Sequence, residues 1–240
     1  MGRIAGIRAR STWRDMAEGQ VLHFGLIVLL VAGATALLHH PAFAPRVLGL
    51  TSTGWALVSI WLAVIHQVFV AKVFRLQLHR GVMTRVFGDR DLAVWQAIFL
   101  PLLIARPLTL ILVGWADPSR LTGLRWLEIA LGLALIAVAI WVLHSVIVHF
   151  TIRRAVGGDH FREDIADLPM VREGAFAVTP NAMYGLAFLG LWGIALLFGS
   201  WNALVVALFQ HVYIWVHWYL TEKPDMERLY PPVASPAAGV

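Results

Sequence analysis

The sequence predicts an all-α membrane protein with about six transmembrane helices, and three observations support this fold class. Of the 240 residues, 59% are hydrophobic and only 14% are charged, whereas a typical soluble domain carries about 25% charged residues. The apolar residues fall into six stretches that are long enough to cross ~30 Å of hydrocarbon as helices. The basic residues concentrate in every second loop, as expected for successive membrane crossings.

The six apolar stretches define the predicted helices in chain order. They comprise residues 21–38, 54–73, 92–114, 124–150, 182–198 and 201–220. The first should be retained rather than cleaved as a signal, because about twenty residues with four arginines precede it and no small-residue cleavage pattern follows it. A tight turn at residues 199–202 separates the last two stretches, so they should form a helical hairpin.

Three regions are predicted along the chain. Residues 1–120 form a transmembrane scaffold of three spans. Residues 121–230 hold the other three spans, the longest polar loop (151–180) and a polar C-terminal segment. Residues 231–240 are rich in proline and alanine, which favours a disordered tail.

The distribution of Lys and Arg predicts the topology. Before span one, after spans two and four, and after span six, the chain carries Arg3, Arg8, Arg10, Arg14, Lys72, Arg75, Arg80, Arg85, Arg90, Arg153, Arg154, Arg162, Arg172, Lys223 and Arg228. The other side carries only Arg46, Arg120 and Arg125. The positive-inside rule then places both termini in the cytoplasm. The net charge of +5 therefore reflects topology, and no nucleic-acid partner is expected.

Three polar segments should meet at the cytoplasmic face. The first is Gly158-Asp159-His160-Phe161 in the 151–180 loop. The second, residues 174–185, is interpreted as a glycine turn, a short extended stretch and a helix capped by Asn181. The third runs from Glu222 to Tyr230 after the last span. Convergence of polar groups from distant segments is typical of a binding site.

These segments resemble those of the phosphatidylethanolamine N-methyltransferase family, and more distantly those of the isoprenylcysteine carboxyl methyltransferases. Gly158 to Phe161 is similar to Gly-Asp-Tyr-Phe, with histidine in place of tyrosine. Thr179 to Tyr184 is similar to Thr-Gly-Asn-Pro-Met-Tyr, and Glu222-Lys223-Pro224 to Glu-Glu-Pro. A glycine pair of the family is half present, since Gly132 is followed two residues later by Ala134. The resemblance covers roughly residues 124–230.

The resemblance implies an S-adenosyl-L-methionine-dependent enzyme that methylates phosphatidylethanolamine toward phosphatidylcholine, in a bilayer that we expect to be a bacterial inner membrane. A Gly-x-Gly-x-x-Gly motif after a strand is absent from the sequence, so the cofactor site should lie within the helical membrane fold. The residues implied in cofactor binding are Gly158, Asp159, His160, Phe161, Asn181, Met183, Tyr184, Glu222 and Tyr230.

The chemistry of methyl transfer suggests roles for several polar side chains. The lipid amine must lose a proton before it attacks, and His160, His217 and Glu222 are the candidate bases. On the last helix, His211, Trp215, Trp218 and Glu222 should share one stripe, while His217 lies on the other face. Arg106, His211 and Trp218 are the candidate substrate contacts, because the guanidinium group of Arg106 could hold a lipid phosphate.

Other functions remain open at this point. The same cofactor could serve another acceptor, such as a prenylated carboxylate, a thiol or a small amine. A helical haem or quinone protein is also possible, since His66, His144, His149, His211 and His217 lie in or near spans. A non-catalytic scaffold would leave the three segments unexplained. With no cysteine in the chain, neither disulfides nor thiolate metal sites are expected. No other metal site is predicted, and the sequence does not predict the oligomeric state.

Overall fold

The computed structural model describes residues 2–41, 43–119 and 121–231, and it confirms an all-helical fold. Within these residues the only extended pairing is an isolated bridge between Val47 and Leu50. The predicted disordered tail lies outside the described residues, except for Pro231.

Thirteen α-helices occur in the described residues. In chain order they are α1 (Arg3–Arg10), α2 (Trp13–Ala17), α3 (Gln20–Leu37), α4 (Ser52–Arg80), α5 (Val82–Phe87), α6 (Asp91–Trp115), α7 (Arg125–Ser145), α8 (Ile152–Ala155), α9 (Glu163–Ala166), α10 (Ala175–Val178), α11 (Leu189–Phe198), α12 (Trp201–His217) and α13 (Lys223–Leu229). A π-helical turn follows α7 at Val146–Phe150, and another joins α12 to α13 at Trp218–Glu222.

Five helical stretches in the described residues are long and apolar enough to span a membrane. They are Trp13–Leu37, Ser52–Arg80, Val82–Trp115, Arg125–Phe150 and Trp201–Leu229. The remaining expected span, the fifth in chain order (182–198), is shorter than predicted, because α11 has 10 residues and reaches only about 15 Å. The protein is therefore a multi-pass membrane protein in which the fifth predicted helix crosses only part of the bilayer thickness as a regular helix.

The segment before α11 differs from the sequence expectation. The stretch expected to be extended contains the short helix α10, and residues 180–188 form consecutive turns rather than a helix that starts at Asn181. Their backbone hydrogen bonds span different numbers of residues: the amide of Tyr184 donates three residues back to the carbonyl of Asn181, whereas that of Ala187 donates five residues back to Ala182. Irregular backbone at membrane depth is tolerated where it is buried in protein or lines a cavity.

The apolar core surrounds α12. This helix packs against α3, α4, α6 and α11, and its residues Val206, Ala207 and Tyr213 are fully buried. Helices on both sides of residue 120 therefore share one core. The boundary between a scaffold and a second region, which was drawn from sequence, remains a prediction.

Helices α7 and α11 approach each other through glycines. A Cβ atom on Gly193 would lie 2.6 Å from the carbonyl oxygen of Gly132, and one on Gly132 would lie 2.9 Å from the carbonyl oxygen of Gly193. Small residues that allow close backbone contact are characteristic of helix pairs in membranes. Gly132, which is the one glycine retained from the glycine pair of the family, thus allows the close packing of α7 on α11.

The N-terminal helix α1 docks at the end of the bundle where the basic residues gather, which we call the basic end. The backbone amides of Ile4 and Ala5 donate to the Glu163 carboxylate at 3.1 Å and 2.9 Å. Ile4 and Ile7 pack with Leu78, Ala166 and Leu229 in a small apolar cluster. The N-terminal segment, the 151–180 loop and α13 therefore lie at the same end, as the charge pattern predicted, and the cytoplasmic orientation of that end remains a prediction.

Candidate functional site

Glu222 lies at the centre of a polar site at the basic end. The hydroxyl group of Tyr184 donates to Glu222 Oε2, and His217 Nε2 lies 3.1 Å from Glu222 Oε1. The His217 ring is completely buried, whereas 13% of the Glu222 side chain is exposed. One carboxylate therefore contacts both a phenol and an imidazole, and it retains a face toward the exterior.

The π-helical turn explains why His217 and Glu222 meet. Five residues separate them, and in a regular α-helix with 3.6 residues per turn they would point in different directions. The wider turn at Trp218–Glu222 brings the two side chains together. Single π-turns within helices are frequent at functional sites. The sequence reasoning assumed a regular helix and so placed His217 on a face away from Glu222.

Aromatic rings line one side of this carboxylate. The rings of Tyr184 and Trp218 have centroids 4.9 Å apart, and Trp215 lies 6.3 Å from Tyr184. Tyr184 belongs to the irregular 180–188 segment, which is largely half-buried. An acidic group beside aromatic faces can accommodate a cation.

Asp159 is held by a tight loop close to this site. Gly157 has a φ of +83°, which favours glycine, and a Cβ atom on Gly158 would lie 2.3 Å from the carbonyl oxygen of Arg153. Gly158 is buried and packs against the backbone of Arg153, so its small size lets the loop turn closely. The tyrosine hydroxyl of Tyr230 donates to Asp159 Oδ2 at 3.3 Å.

His160 is enclosed by two carboxylates. Its Nδ1 lies 3.0 Å from Asp159 Oδ1 and its Nε2 lies 3.5 Å from Asp225 Oδ2, while the ring stacks on Phe74. Burial disfavours the charged form of His160, but hydrogen bonds and the charges of Asp159 and Asp225 outweigh it and raise the pKa of His160 to about 10. His160 is thus an imidazolium at neutral pH.

Tyr230 and Arg154 complete the surroundings of Asp159. The guanidinium group of Arg154 donates to the Tyr230 hydroxyl at 3.4 Å and to the carbonyl of Pro169 at 2.8 Å. Burial and the Asp159 charge raise the pKa of Tyr230 to about 12, against the opposing effect of Arg154. The phenol therefore stays protonated and can donate to the carboxylate.

The structure places several other predicted cofactor residues in supporting positions. Phe161 is buried in an apolar cluster with Phe74 and Trp95. Met183 packs against the cluster that contains Phe176. The Asn181 carbonyl accepts from two amides of the irregular segment. These residues shape the segments that carry Asp159 and Tyr184.

Two predicted substrate residues lie deeper in the bundle. Arg106 donates from Nε to Gln210 Oε1 at 2.8 Å, and His211 Nδ1 accepts from Trp192 Nε1 at 3.0 Å. Gln210 and Glu222 are twelve residues apart, or about 18 Å along the helix. Among the three predicted substrate contacts, Trp218 lies beside the Tyr184 ring, and His211 is hydrogen-bonded to the Tyr184 backbone.

Sequence reasoning missed Asp225 and Arg75. Asp225 is fully buried, and its Oδ1 lies 2.8 Å from Arg75 Nη1 and 3.7 Å from His79 Nε2. It joins the C-terminal segment to α4. The only signal in the sequence was its position next to Pro224 in the Glu222–Tyr230 segment, because burial of a carboxylate next to an arginine from another helix is a tertiary feature.

Comparison with known proteins confirms the resemblance. Residues 127–232 match the phospholipid methyltransferase family. The phosphatidylethanolamine N-methyltransferase of Clavispora lusitaniae is 33% identical over 118 residues, which cover 48% of this chain and 13% of that protein. That of Lodderomyces elongisporus is 30% identical over 109 residues, 45% of this chain and 12% of the relative. That of Talaromyces marneffei is 30% identical over 119 residues, which cover 48% of this chain and 11% of that protein.

The alignments cover 11–13% of the length of these three relatives. The match contains the 151–180 loop, Tyr184 and the segment from Glu222 to Tyr230. No solved structure matches the chain significantly.

Proposed function

We propose that this chain is a methyltransferase that moves methyl groups from S-adenosyl-L-methionine to the amine of phosphatidylethanolamine, toward phosphatidylcholine. The observation that carries the proposal is the Tyr184–Glu222–His217 assembly within a region that matches the phospholipid methyltransferase family. The site would face the cytoplasm, where both reactants are available from the same side.

The residues at the basic end suit a sulfonium cofactor. Glu222 and Asp159 supply negative charge near the aromatic faces of Tyr184 and Trp218, and cations are attracted to both kinds of group. Tyr184, Glu222, Asp159 and Tyr230 would hold it directly. When bound, the cofactor supplies an electrophilic methyl group, and the protein's main task is to align the acceptor with that group.

The acceptor amine must present a lone pair, so a base must take its proton before each transfer. Glu222 is placed for this role because its Oε1 also contacts His217, to which a proton can pass. His160 is less suitable, since an imidazolium with a pKa of about 10 accepts no proton at neutral pH. We therefore propose Glu222 with His217 as the base, and His160 as a group that holds Asp159.

The test is methylation in a bacterium that lacks phosphatidylcholine. We expect expression of the full chain to produce mono-, di- or trimethylated ethanolamine lipids, detected by lipid mass spectrometry. Glu222→Gln should lower their amount at least tenfold, whereas Glu227→Gln, at an exposed glutamate of α13, should leave it unchanged.

Two outcomes would contradict the proposal. If cells make no methylated ethanolamine lipid although the purified protein binds S-adenosyl-L-methionine, the acceptor is wrong and another amine, thiol or carboxylate is the substrate. If Glu222→Gln retains full activity, the proposed site is wrong.

A further inference from the structure

Five buried polar side chains form a group inside the helical bundle, below the site described above. They are His23, His66, Arg106, Tyr213 and His217, and we call them the interior polar cluster. None of their side chains has more than 2% of its surface exposed. They come from α3, α4, α6 and α12.

Much of the hydrogen-bonding capacity of this cluster is unused. The atoms without a partner are His23 Nε2, both ring nitrogens of His66, Nη1 and Nη2 of Arg106, the hydroxyl oxygen of Tyr213 and Nδ1 of His217. Leaving a buried polar group unsatisfied costs about 1–3 kcal/mol, and more when the group is charged. A ligand that supplies acceptors to these groups would remove that cost.

Three members of the cluster, His23, Tyr213 and His217, have neighbouring rings. The His23 ring lies 5.7 Å from the rings of both Tyr213 and His217. Arg106 lies within electrostatic range of Tyr213 and His66. Because Tyr213 precedes His217 by about one helical turn, the cluster continues inward from the His217–Glu222 pair.

The charge of the cluster fits an oxyanion. Arg106 is permanently positive, and it forms no salt bridge with an acidic residue in the described part of the chain. The Nε atom of Arg106 donates to Gln210, and its Nη1 and Nη2 atoms have no hydrogen-bond partner. Glu222 lies at the outer end and Arg106 at the inner end, so the negative and positive charges of the interior are separated along α12.

The irregular segment 180–188 runs beside the interior polar cluster. Tyr184 contacts Glu222 at one end of the segment, and the guanidinium group of Arg106 lies 5.0 Å from the Phe188 ring at the other. Most of the segment is half-buried. It is therefore the part of the wall through which a ligand could reach both ends.

Three members of the cluster, His23, His66 and Arg106, precede the family-matched residues 127–232. We propose that the interior polar cluster binds the phosphate group of the phospholipid substrate, so that the N-terminal spans supply a headgroup subsite. The inference rests on the proposed function for the identity of the amine end. The phosphate would lie between Arg106 and Tyr213, with the amine on the side of His217.

The first test measures lipid binding without methyl transfer. The purified full chain is equilibrated with vesicles of equal parts phosphatidylethanolamine and a neutral galactosyl diacylglycerol, and retained lipids are counted by native mass spectrometry. We expect the wild-type protein to prefer the phospholipid, and Arg106→Gln to reduce that preference about 10- to 100-fold, which corresponds to loss of a charged hydrogen bond. Arg46→Gln, an exposed arginine outside the cluster, should match the wild type.

A second variant guards against misfolding. Tyr213→Phe keeps the buried ring and removes only the unpartnered hydroxyl, so it should fold and reduce the preference by a smaller factor of about 3- to 10-fold. Unchanged phospholipid preference in both variants would overturn the proposal and leave buried water as the partner of these groups.

The cofactor is the alternative source of an oxyanion, through its carboxylate. The dissociation constant of S-adenosyl-L-methionine, measured by calorimetry, should be the same in the wild type and in Arg106→Gln. A weaker cofactor affinity with unchanged lipid preference would overturn the proposal. If lipid preference depends on Arg106 but no lipid is methylated, the proposed function fails and the subsite stands.

Discussion

At the scale of single residues, burial and neighbouring side chains give the acidic residues of the site different roles. Glu222 is partly exposed and contacts Tyr184 and His217, whereas Asp225 is fully buried beside Arg75 and His160. The two lie three residues apart on either side of the π-turn boundary. One is therefore available to a ligand, and the other holds the site together.

Tyr184→Phe tests the hydroxyl that contacts Glu222. The ring contact with Trp218 should persist, but the lost donor leaves one carboxylate oxygen unpaired, and we expect kcat to fall about tenfold, or roughly 1.4 kcal/mol. Methyl transfer to lipid vesicles measures the effect. The matched control is Tyr219→Phe, at an exposed tyrosine in the π-turn that carries Glu222, which should retain wild-type kcat. Equal losses in both variants would remove Tyr184 from the site.

His160→Gln tests the charged histidine through the pH dependence of stability. Its pKa is raised from 6.5 to about 10 in the folded protein, so the charged form stabilises the fold fully below about pH 6.5, and this contribution is lost as the pH rises toward 10. We expect the melting temperature of the wild type to fall over this range in detergent.

In His160→Gln the melting temperature should be lower at pH 6.5 and should depend less on pH between 6.5 and 10. His149→Gln is the control, because His149 is more exposed and pairs with an exposed glutamate. A pH profile of His160→Gln that parallels the wild-type profile would show that His160 is uncharged in the folded protein.

At the scale of elements, two departures from regular helix create the site. The π-turn at Trp218–Glu222 redirects Glu222 toward His217, and the turns at residues 180–188 bring Tyr184 to Glu222. The unwinding leaves α11 short. Its terminal carbonyls at Leu196 and Leu197 are satisfied by the guanidinium group of Arg125, which fixes the outer end of this helix.

Gly193→Val tests the close packing of α7 and α11. The added side chain would meet the Gly132 carbonyl and Ile136, so the helices must separate, and overpacking of this kind costs about 1–3 kcal/mol. We expect a lower melting temperature in detergent. Gly25→Val in α3, where a Cβ atom has open space, is the matched control, and similar melting temperatures for the two variants would mean that α7 and α11 are not in close contact.

At the scale of the whole molecule, the N-terminal and C-terminal halves form a single unit. Residues of α4 and α6 pack on α12, and Arg75 of α4 pairs with Asp225 of α13. At the basic end, α1 contacts both α9 and α13. The segments that carry the site are therefore held from both halves of the chain.

Cysteine labelling tests the predicted topology, and the chain's lack of cysteine makes single substitutions interpretable. Asp164 is an exposed residue at the basic end, and Arg46 is an exposed residue in a loop at the other end. Each is replaced by cysteine in a separate variant. In intact bacterial cells, a membrane-impermeant maleimide should label Arg46→Cys from outside, and Asp164→Cys only after lysis. The reverse pattern would place the site outside the cytoplasm.

The sequence by itself determined the helical class, most span positions and the segments that form the site. These follow from hydropathy and short motifs, which depend on residue type and near neighbours. It did not reveal the shortened α11, because a change from helix to turns at residues 180–188 leaves the apolar composition of the stretch unchanged.

Only the tertiary structure decided which of the candidate residues meet. It joined His217 to Glu222 through a π-turn and enclosed His160 between two carboxylates. It placed Arg106 beside Gln210, away from Glu222. Burial and partnership across helices determine the charge and role of a side chain, and residues as distant in sequence as Arg75 and Asp225 become neighbours only when the helices pack.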